Sequence, residues 1–459
     1  MSKELLKIGW AQKDITPEKP VMLSGQFYVR VSTGVQNPIT ATALALEGSG
    51  DAAVLVSCDL VGIPLPIVEQ VREKVKKQLP DLDGRKIMMS VTHTHTAPVT
   101  MDGMYPEQSG DCQKPSEYAK LMTDRMAEAI VEAWNNRSQG GISRAFGHAV
   151  AGHNRRTVYA DGRAQMYGET NAEDFHGLEG YQDHSVDMLF TWDVKNKLTG
   201  MLINLACPSQ VTEHLYEVSA DYWHETREEL HKRYGEHIFV VGQCGAAGDQ
   251  SPRFPIYKRV ETWMREQKGV SDREEIAERI ANAVDYVMPI AEKNATTDVD
   301  LVHVTEDITL IPRTIAQWEV DRANRNIETR LARKSKDDTA YDGYVDRQKE
   351  VQKRFDRQDK VRPFTMELHV LRIGDIAMAT NPFELYLDFA LRIKARSRAP
   401  QTFVTQLACG VGGYLPTERA VQGGHYGAEP MSNNVGPEGG QELVEKTLKV
   451  IDSLWKVEK

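Results

Sequence analysis

The apolar positions fall into short continuous or alternating runs separated by longer amphipathic stretches, the pattern of strands interleaved with helices. Residues 7–11, 40–47 and 52–60 read as neighbouring buried strands. Residues 63–78 read as an amphipathic helix, closed by Pro80 and Asp83-Gly84. A strand at 86–91 runs directly into Thr92-His93-Thr94-His95. Leu121, Met122, Met126, Ile130 and Val131 recur at helical spacing across 117–134, with Pro115-Ser116 as the start signal. Strands at 143–150, 185–193 and 199–206 precede a helix near 222–234. A buried strand at 238–243 then feeds a Gly-rich turn at 244–252. A helix at 274–288, a strand at 367–380, a helix at 384–396 and a strand at 403–408 follow. Residues 409–440 are Gly-rich and poorly periodic, the profile of a long functional loop, and one last helix ends the chain.

The stretch 313–362 breaks this pattern. Arg, Lys, Asp, Glu and Gln dominate it and Pro and Gly are rare, which predicts a charged helical arm, with a solvated surface face as the default. Elsewhere strands and helices alternate without a boundary, and no repeat of 20–50 residues is present. The expectation is one α/β catalytic domain over 1–459, a large mixed sheet with surrounding helices, decorated by the arm.

Composition narrows the function. With 459 residues, 41% of them hydrophobic, the chain can bury a large core without staples and is not predominantly disordered. The 56 Lys+Arg against 66 Asp+Glu leave a net charge of −10, which argues against a nucleic-acid partner and against charge-driven docking on anionic lipid. No run reaches the ~18 apolar residues of a spanning helix. The start, MSKELLKIGWAQKDITP, has no apolar signal core. Five cysteines (58, 112, 207, 244, 409) without a CxxC fit a reducing compartment. A cytoplasmic location is expected, with secretion the alternative for a longer precursor. The expected partner is a small-molecule substrate, and self-association stays open.

Five constellations could do chemistry. In an extended strand His93 and His95 would share a face, so their imidazoles could bind zinc, or one could ligate while the other faces an oxyanion. The plain structural reading is a hydrogen-bonded pair on an edge strand. The turn at 245–252 holds Asp249 and Ser251 on a sharp bend, but lacks nucleophile-elbow spacing. Asn154-Arg155-Arg156 lies near His148 and His153, and an arginine there suits an oxyanion or carboxylate contact. Glu384 follows Asn381-Pro382-Phe383 and reads as opening a helix, where the helix dipole alone favours an acid. Tyr414 sits in Gly412-Gly413-Tyr414-Leu415-Pro416-Thr417, where packing is the usual role.

In this order, these segments resemble the neutral ceramidase family, the neutral/alkaline N-acylsphingosine amidohydrolases. The matching stretches run from Ile8-Gly9-Trp10-Ala11 and Asp14-Ile15-Thr16 through Thr92-His93-Thr94-His95, Asn154-Arg155 and Gly248-Asp249-Gln250-Ser251-Pro252. They end with Pro382-Phe383-Glu384 and Tyr414-Leu415-Pro416-Thr417. The resemblance covers nearly the whole chain as a catalytic domain, and the family's C-terminal immunoglobulin-like domain has no expected counterpart. It implies a zinc held by His93, Glu384 and Tyr414, with water attacking an amide carbonyl. His95 and Arg155 would face that carbonyl and Ser251 would line the site. The family's second histidine ligand is missing from Ala206-Cys207-Pro208-Ser209-Gln210-Val211-Thr212-Glu213-His214, so Gln210, His214 or Cys207 is the candidate replacement. The resemblance implies a metal-dependent hydrolase of an amide or related bond; the acidic composition and the lack of an apolar interfacial anchor favour a small N-acylated or sugar-derived substrate over ceramide. A metal-free hydrolase using His93, His95, Asp249 and Glu384 as acid/base groups is the alternative within enzymes, including a carbohydrate-directed one. A non-catalytic ligand-binding homologue is the alternative outside them.

Overall fold

The computed structural model describes residues 5–333 and 340–455; residues 334–339 of the expected arm lie outside them. The main sheet has eight strands: β1 (Lys7–Asp14), β2 (Thr40–Gly48), β3 (Asp51–Cys58), β4 (Ile87–Val91), β5 (Ser138–His148), β6 (Ser185–Asp193), β7 (Leu198–Leu205) and β8 (Phe239–Cys244). Their spatial order is β8-β7-β6-β5-β1-β2-β3-β4. The two halves repeat one topology. In each, three antiparallel strands are followed by a fourth that is parallel to the third. A parallel neighbour demands a crossover. The helices α1 (Leu65–Lys76) and, in the second half, α3 (Tyr222–Tyr234) supply it, and the long helices α2 (Pro115–Asn135) and α4 (Asp272–Lys293) follow the fourth strands.

The halves meet through only two register pairs, Lys7↔Gln139 and Ile8↔Ser138. So narrow a junction lets the sheet fold over on itself. Trp10 stacks on Phe239 with ring centroids 5.6 Å apart, and Ser57 Oγ donates to the Gly242 carbonyl at 2.5 Å. Leu44, Leu55 and Met88 of one half meet Leu189, Leu202 and Val241 of the other in a dry inner layer. The outer faces are covered by helices: Val54 and Val56 pack with Val71, Met126 and Ile130, and Met188 and Ile203 with Leu230, Ile280 and Val284. Burial on both faces explains why these strands read as continuous apolar runs in the sequence.

The arm is two helices, α5 (Gln317–Ala332) and α6 (Gly343–Phe355). A second sheet of β9 (Leu301–Leu310), β10 (Phe364–Ile373), β11 (Ile376–Thr380) and β12 (Gln401–Thr405) closes the inner layer through Leu371, Met378 and Phe403. Its other face is buried by α7 (Leu387–Arg396) and α8 (Pro437–Leu454). Strand β9 has no counterpart in the sequence reading, and the expected strand at 367–380 is split into β10 and β11 by a turn at Gly374, whose φ is 58°. The mixed α/β architecture itself is the expected one. Among the described residues no helix is long and apolar enough to cross a membrane.

Three parallel pairs, β3/β4, β7/β8 and β11/β12, bring their C-terminal ends together. Ser209 N–H donates to the Thr92 carbonyl at 3.3 Å, Gln406 N–H to Cys244 at 3.1 Å, and Cys409 N–H to Met89 at 2.9 Å. The loops leaving those ends form the site, as is usual where parallel strands end.

Candidate active site

His93 and His95 do converge, but not by the extended geometry expected. The chain turns at the end of β4: Thr94 N–H donates to the Leu60 carbonyl at 3.1 Å and His93 takes a φ of 64°. Such a backbone costs a non-glycine residue ~1–3 kcal/mol. The rings end 4.8 Å apart at 83°, with the two Nε2 atoms 3.3 Å from each other.

The hydrogen-bond partners fix the tautomers. His93 Nδ1 lies 2.6 Å from the Val61 carbonyl, which can only accept, so Nδ1 bears the hydrogen and Nε2 presents a lone pair. His95 Nε2 lies 2.8 Å from Gln210 Nε2. The Gln210 oxygen already accepts from Arg155 Nη1 at 3.2 Å and Tyr167 Oη at 3.4 Å, so its amide N–H donates to His95. Burial also keeps His95 below the usual imidazole range. Glu384 Oε2 is 3.5 Å from His93 Nε2. His93 Nε2 therefore turns a lone pair toward the Glu384 carboxylate, while the His95 Nε2 lone pair is held by Gln210. His95 Nδ1 faces Glu213 Oε2 at 3.5 Å and makes no hydrogen bond. Gly25, at a φ of 97°, lies against the His95 ring, where a Cβ would overlap the imidazole.

Glu384 opens no helix. It sits on a three-residue strand, Phe383–Leu385, and pairs directly with Tyr414 of Gly413–Leu415 in a parallel ladder. Residues side by side in such a ladder are about 4.8 Å apart. The Gly-rich turn makes this possible: Gly248 N–H donates to the Leu385 carbonyl at 2.8 Å, and a Cβ on Gly248 would strike the Glu384 backbone. Burial would raise the Glu384 carboxyl, but His93, Tyr414 and Arg155 hold it down at about 2. Burial and the neighbouring Glu384 push the Tyr414 hydroxyl up. The buried Arg155 donates from Nη2 to the Gly248 carbonyl at 2.9 Å and to Tyr414 Oη at 3.3 Å.

A cavity of about 430 Å³ brings together His93, His95, Arg155, Glu384 and Tyr414. The other sequence candidates lie elsewhere. Asp249 stands behind the wall, accepting from Asn154 Nδ2 at 2.9 Å and Leu387 N–H at 3.0 Å; it positions the two segments that present Arg155 and Glu384. Burial raises its carboxyl to about 6. Ser251 is fully buried, pairs with His153 across a short ladder and accepts from Arg253 N–H at 3.2 Å, so it does not line the cavity. His214 is exposed, His148 lies on an exposed strand position, and Cys207 is packed in the core under α3. Glu213, Tyr167 and Tyr426 line the cavity and were missed. Glu213 was hidden by its neighbour His214, whereas Tyr426 had a signal in the Gly424-His425-Tyr426-Gly427 loop.

The donor set fits a zinc ion. Ligands at ~2.0–2.1 Å in a tetrahedron stand about 3.3 Å apart, close to the 3.5 Å between His93 Nε2 and Glu384 Oε2. The His93 Nδ1 hydrogen bond to a backbone carbonyl is the usual orienting contact of a ligating histidine. His93, Glu384 and Tyr414 would hold the ion. Gln210 would not, because its oxygen is taken by Arg155 and Tyr167.

This folded-over mixed sheet with its surrounding helices is shared with solved structures. It is the fold of neutral ceramidase. The neutral ceramidase from Pseudomonas aeruginosa superposes with a TM-score of 0.71 at 15% identity, over 98% of this chain and 74% of its own. A ceramidase complexed with C2 gives a TM-score of 0.69 at 15% identity, over 99% of this chain and 76% of its own. No family model and no curated protein sequence matches the chain.

Proposed function

We propose that this protein is a zinc-dependent hydrolase of the amide bond of small N-acylated compounds. The observation that supports the reading is the His93 Nε2 lone pair facing the buried Glu384 carboxylate at 3.5 Å beside Tyr414, a lone pair and an anion that together call for a cation. A zinc ion bound there supplies a Lewis acid for the carbonyl and lowers the pKa of water toward ~7.

The chain's own residues would do the rest. His95, neutral and lining the cavity, would have to exchange its Nε2 hydrogen bond from Gln210 for a proton of the attacking water, which it would then return to the leaving nitrogen. The water oxygen bonds to the carbonyl carbon, the C–N bond breaks, and a carboxylate and an amine are released. Arg155, fixed by Gly248 and Tyr167, stabilises the oxyanion as it forms. The cavity of about 430 Å³ lies in the lower part of the ~300–1,000 Å³ range of small-molecule sites, which favours a compact substrate over one with two long alkyl chains.

Metal content by emission spectroscopy and turnover of a short-chain fluorogenic N-acyl amide test this together. Near-stoichiometric zinc, activity lost to a chelator and activity restored by zinc are expected. Full activity in metal-free protein would sink the zinc reading, and no turnover of any amide would sink the hydrolase.

A further inference from the structure

We propose that the charged arm makes this site selective for amides carrying an anionic group, and that Arg347 of α6 binds that group. The inference rests on the amide-hydrolase reading and names its substrate class.

The arm is not a solvated face. Its small core, Ile315, Val320, Ala323 and Val351, shares Phe27 and Tyr426 with the wall of the cavity. Gly343 N–H donates to the Phe27 carbonyl at 2.9 Å, and Arg354 Nη2 to Asn433 at 2.7 Å, so both cavity loops are clamped to α6. That clamp places one charged side chain of the arm, Arg347, on the cavity lining.

Arg347 lies over the Phe27 ring at 5.3 Å and pairs with no carboxylate among the described residues. The acids at the site are already committed. Glu213 accepts from Arg253 at 2.8 Å, and Glu384 is the carboxylate of the proposed zinc site, so neither is left for Arg347. The unmatched charge of the cavity is therefore a cation, in a chain whose net charge is −10. A bound zinc ion would add to it.

Geometry sets the spacing. From Tyr414 the wall runs through Tyr426, centroids 6.2 Å apart, to Phe27, a further 5.9 Å, and then to Arg347. A ligand with its amide at Glu384 and Tyr414 and an anion at Arg347 thus needs an apolar spacer crossing two aromatic rings. A guanidinium engages a carboxylate through paired charge-assisted hydrogen bonds, which an uncharged group cannot match.

Calorimetric binding to the full zinc-loaded chain, with N-acetyl-6-aminohexanoate and N-acetylhexylamine as probes, tests the inference. The carboxylate is expected to bind about tenfold tighter at low salt, with the preference shrinking as salt rises. R347Q should bring the two affinities together, and R347K should keep part of the preference. Equal binding by the wild type, a preference that survives R347Q, or no binding of either probe overturns the inference. Selective binding without hydrolysis of either probe leaves it standing and overturns the hydrolase reading instead.

Discussion

Two buried clusters of carboxylate and imidazole lie on neighbouring strand ends, and their electrostatics are opposite. Around Glu384 the His93 lone pair faces the carboxylate, and Arg155 bonds to the neighbouring Tyr414. Around Glu367, Arg72 makes two bonds to the carboxylate, at 2.5 Å and 3.0 Å, and His369 Nε2 lies 2.6 Å from it. Among the described residues, Glu367, His369 and Cys409 are the one group of three His, Cys, Asp or Glu whose ligand atoms all lie within 4.8 Å of one another. Glu367 and Cys409 also border the larger cavity, about 790 Å³. Compactness and cavity size both point to this second cluster rather than to the zinc site proposed above. The place of a metal ion there is already filled by a guanidinium and a protonated imidazole. What marks a cation site is an unmet electrostatic demand, not a count of donors.

The sharpest way to break this contrast is to neutralise one carboxylate in each cluster. E384Q should lose its zinc and fall about a thousandfold in kcat/KM, whereas E367Q should keep both its zinc and its turnover in whatever fraction folds. Metal analysis and initial rates on the two purified variants decide it. A zinc-loaded, active E384Q would erase the distinction.

Stability should show the reverse. Arg72 is buried beside Glu367, so R72A leaves an unpaired charge and should cost about 3–5 kcal/mol in a urea titration, with little effect on the folded enzyme's rate. The pH dependence follows from the same cluster. Burial alone would raise the Glu367 carboxyl, but His369 and Arg72 hold it at about 2, below its usual 4.5. Its contribution is present above pH 4.5 and is lost as pH falls through 2. Burial opposes charge on His369, yet Cys409 and Glu367 raise it from 6.5 to about 9. That contribution is complete below pH 6.5 and is lost as pH rises through 9. Melting temperatures should therefore be highest between pH 4.5 and 6.5, and the alkaline decline should flatten in H369Q.

Much of this was legible in the sequence, and the exceptions have physical causes. The strands with both faces buried announced themselves as apolar runs, and the helix at Tyr222–Tyr234 was readable from its spacing alone. Strand β9 was not, because its outer half alternates with Thr305, Glu306, Asp307 and Thr309 and resembles a loop. The His pair stood out by residue type, and Arg155, Glu384 and Tyr414 were picked out through the resemblance to neutral ceramidases, but the backbone that joins them was not legible. A φ of 64° at His93 and a three-residue ladder at Glu384 depend on long-range bonds to Leu60 and Leu415 that no local pattern encodes. The arm's role was hidden for a similar reason: its charged composition is real, and only the packing of Phe27 and Tyr426 reveals what it covers.

A smaller perturbation sharpens the contrast without removing any charge. Each cluster rests on a glycine. A Cβ on Gly25 would overlap the His95 ring, and its φ of 97° already excludes most side chains. A Cβ on Gly84 would meet the Arg72 side chain at 3.4 Å, an ordinary contact, in a turn with no unusual φ. G25A should therefore displace His95 and lower kcat by roughly 10²-fold, with a bell-shaped pH profile losing its basic-group limb, because the base is moved rather than removed. G84A should leave both the rate and the ion-pair network as they are. If G25A kept wild-type turnover, His95 would not be the proton carrier. Its ring would then serve only to hold the Gln210 amide beside His93.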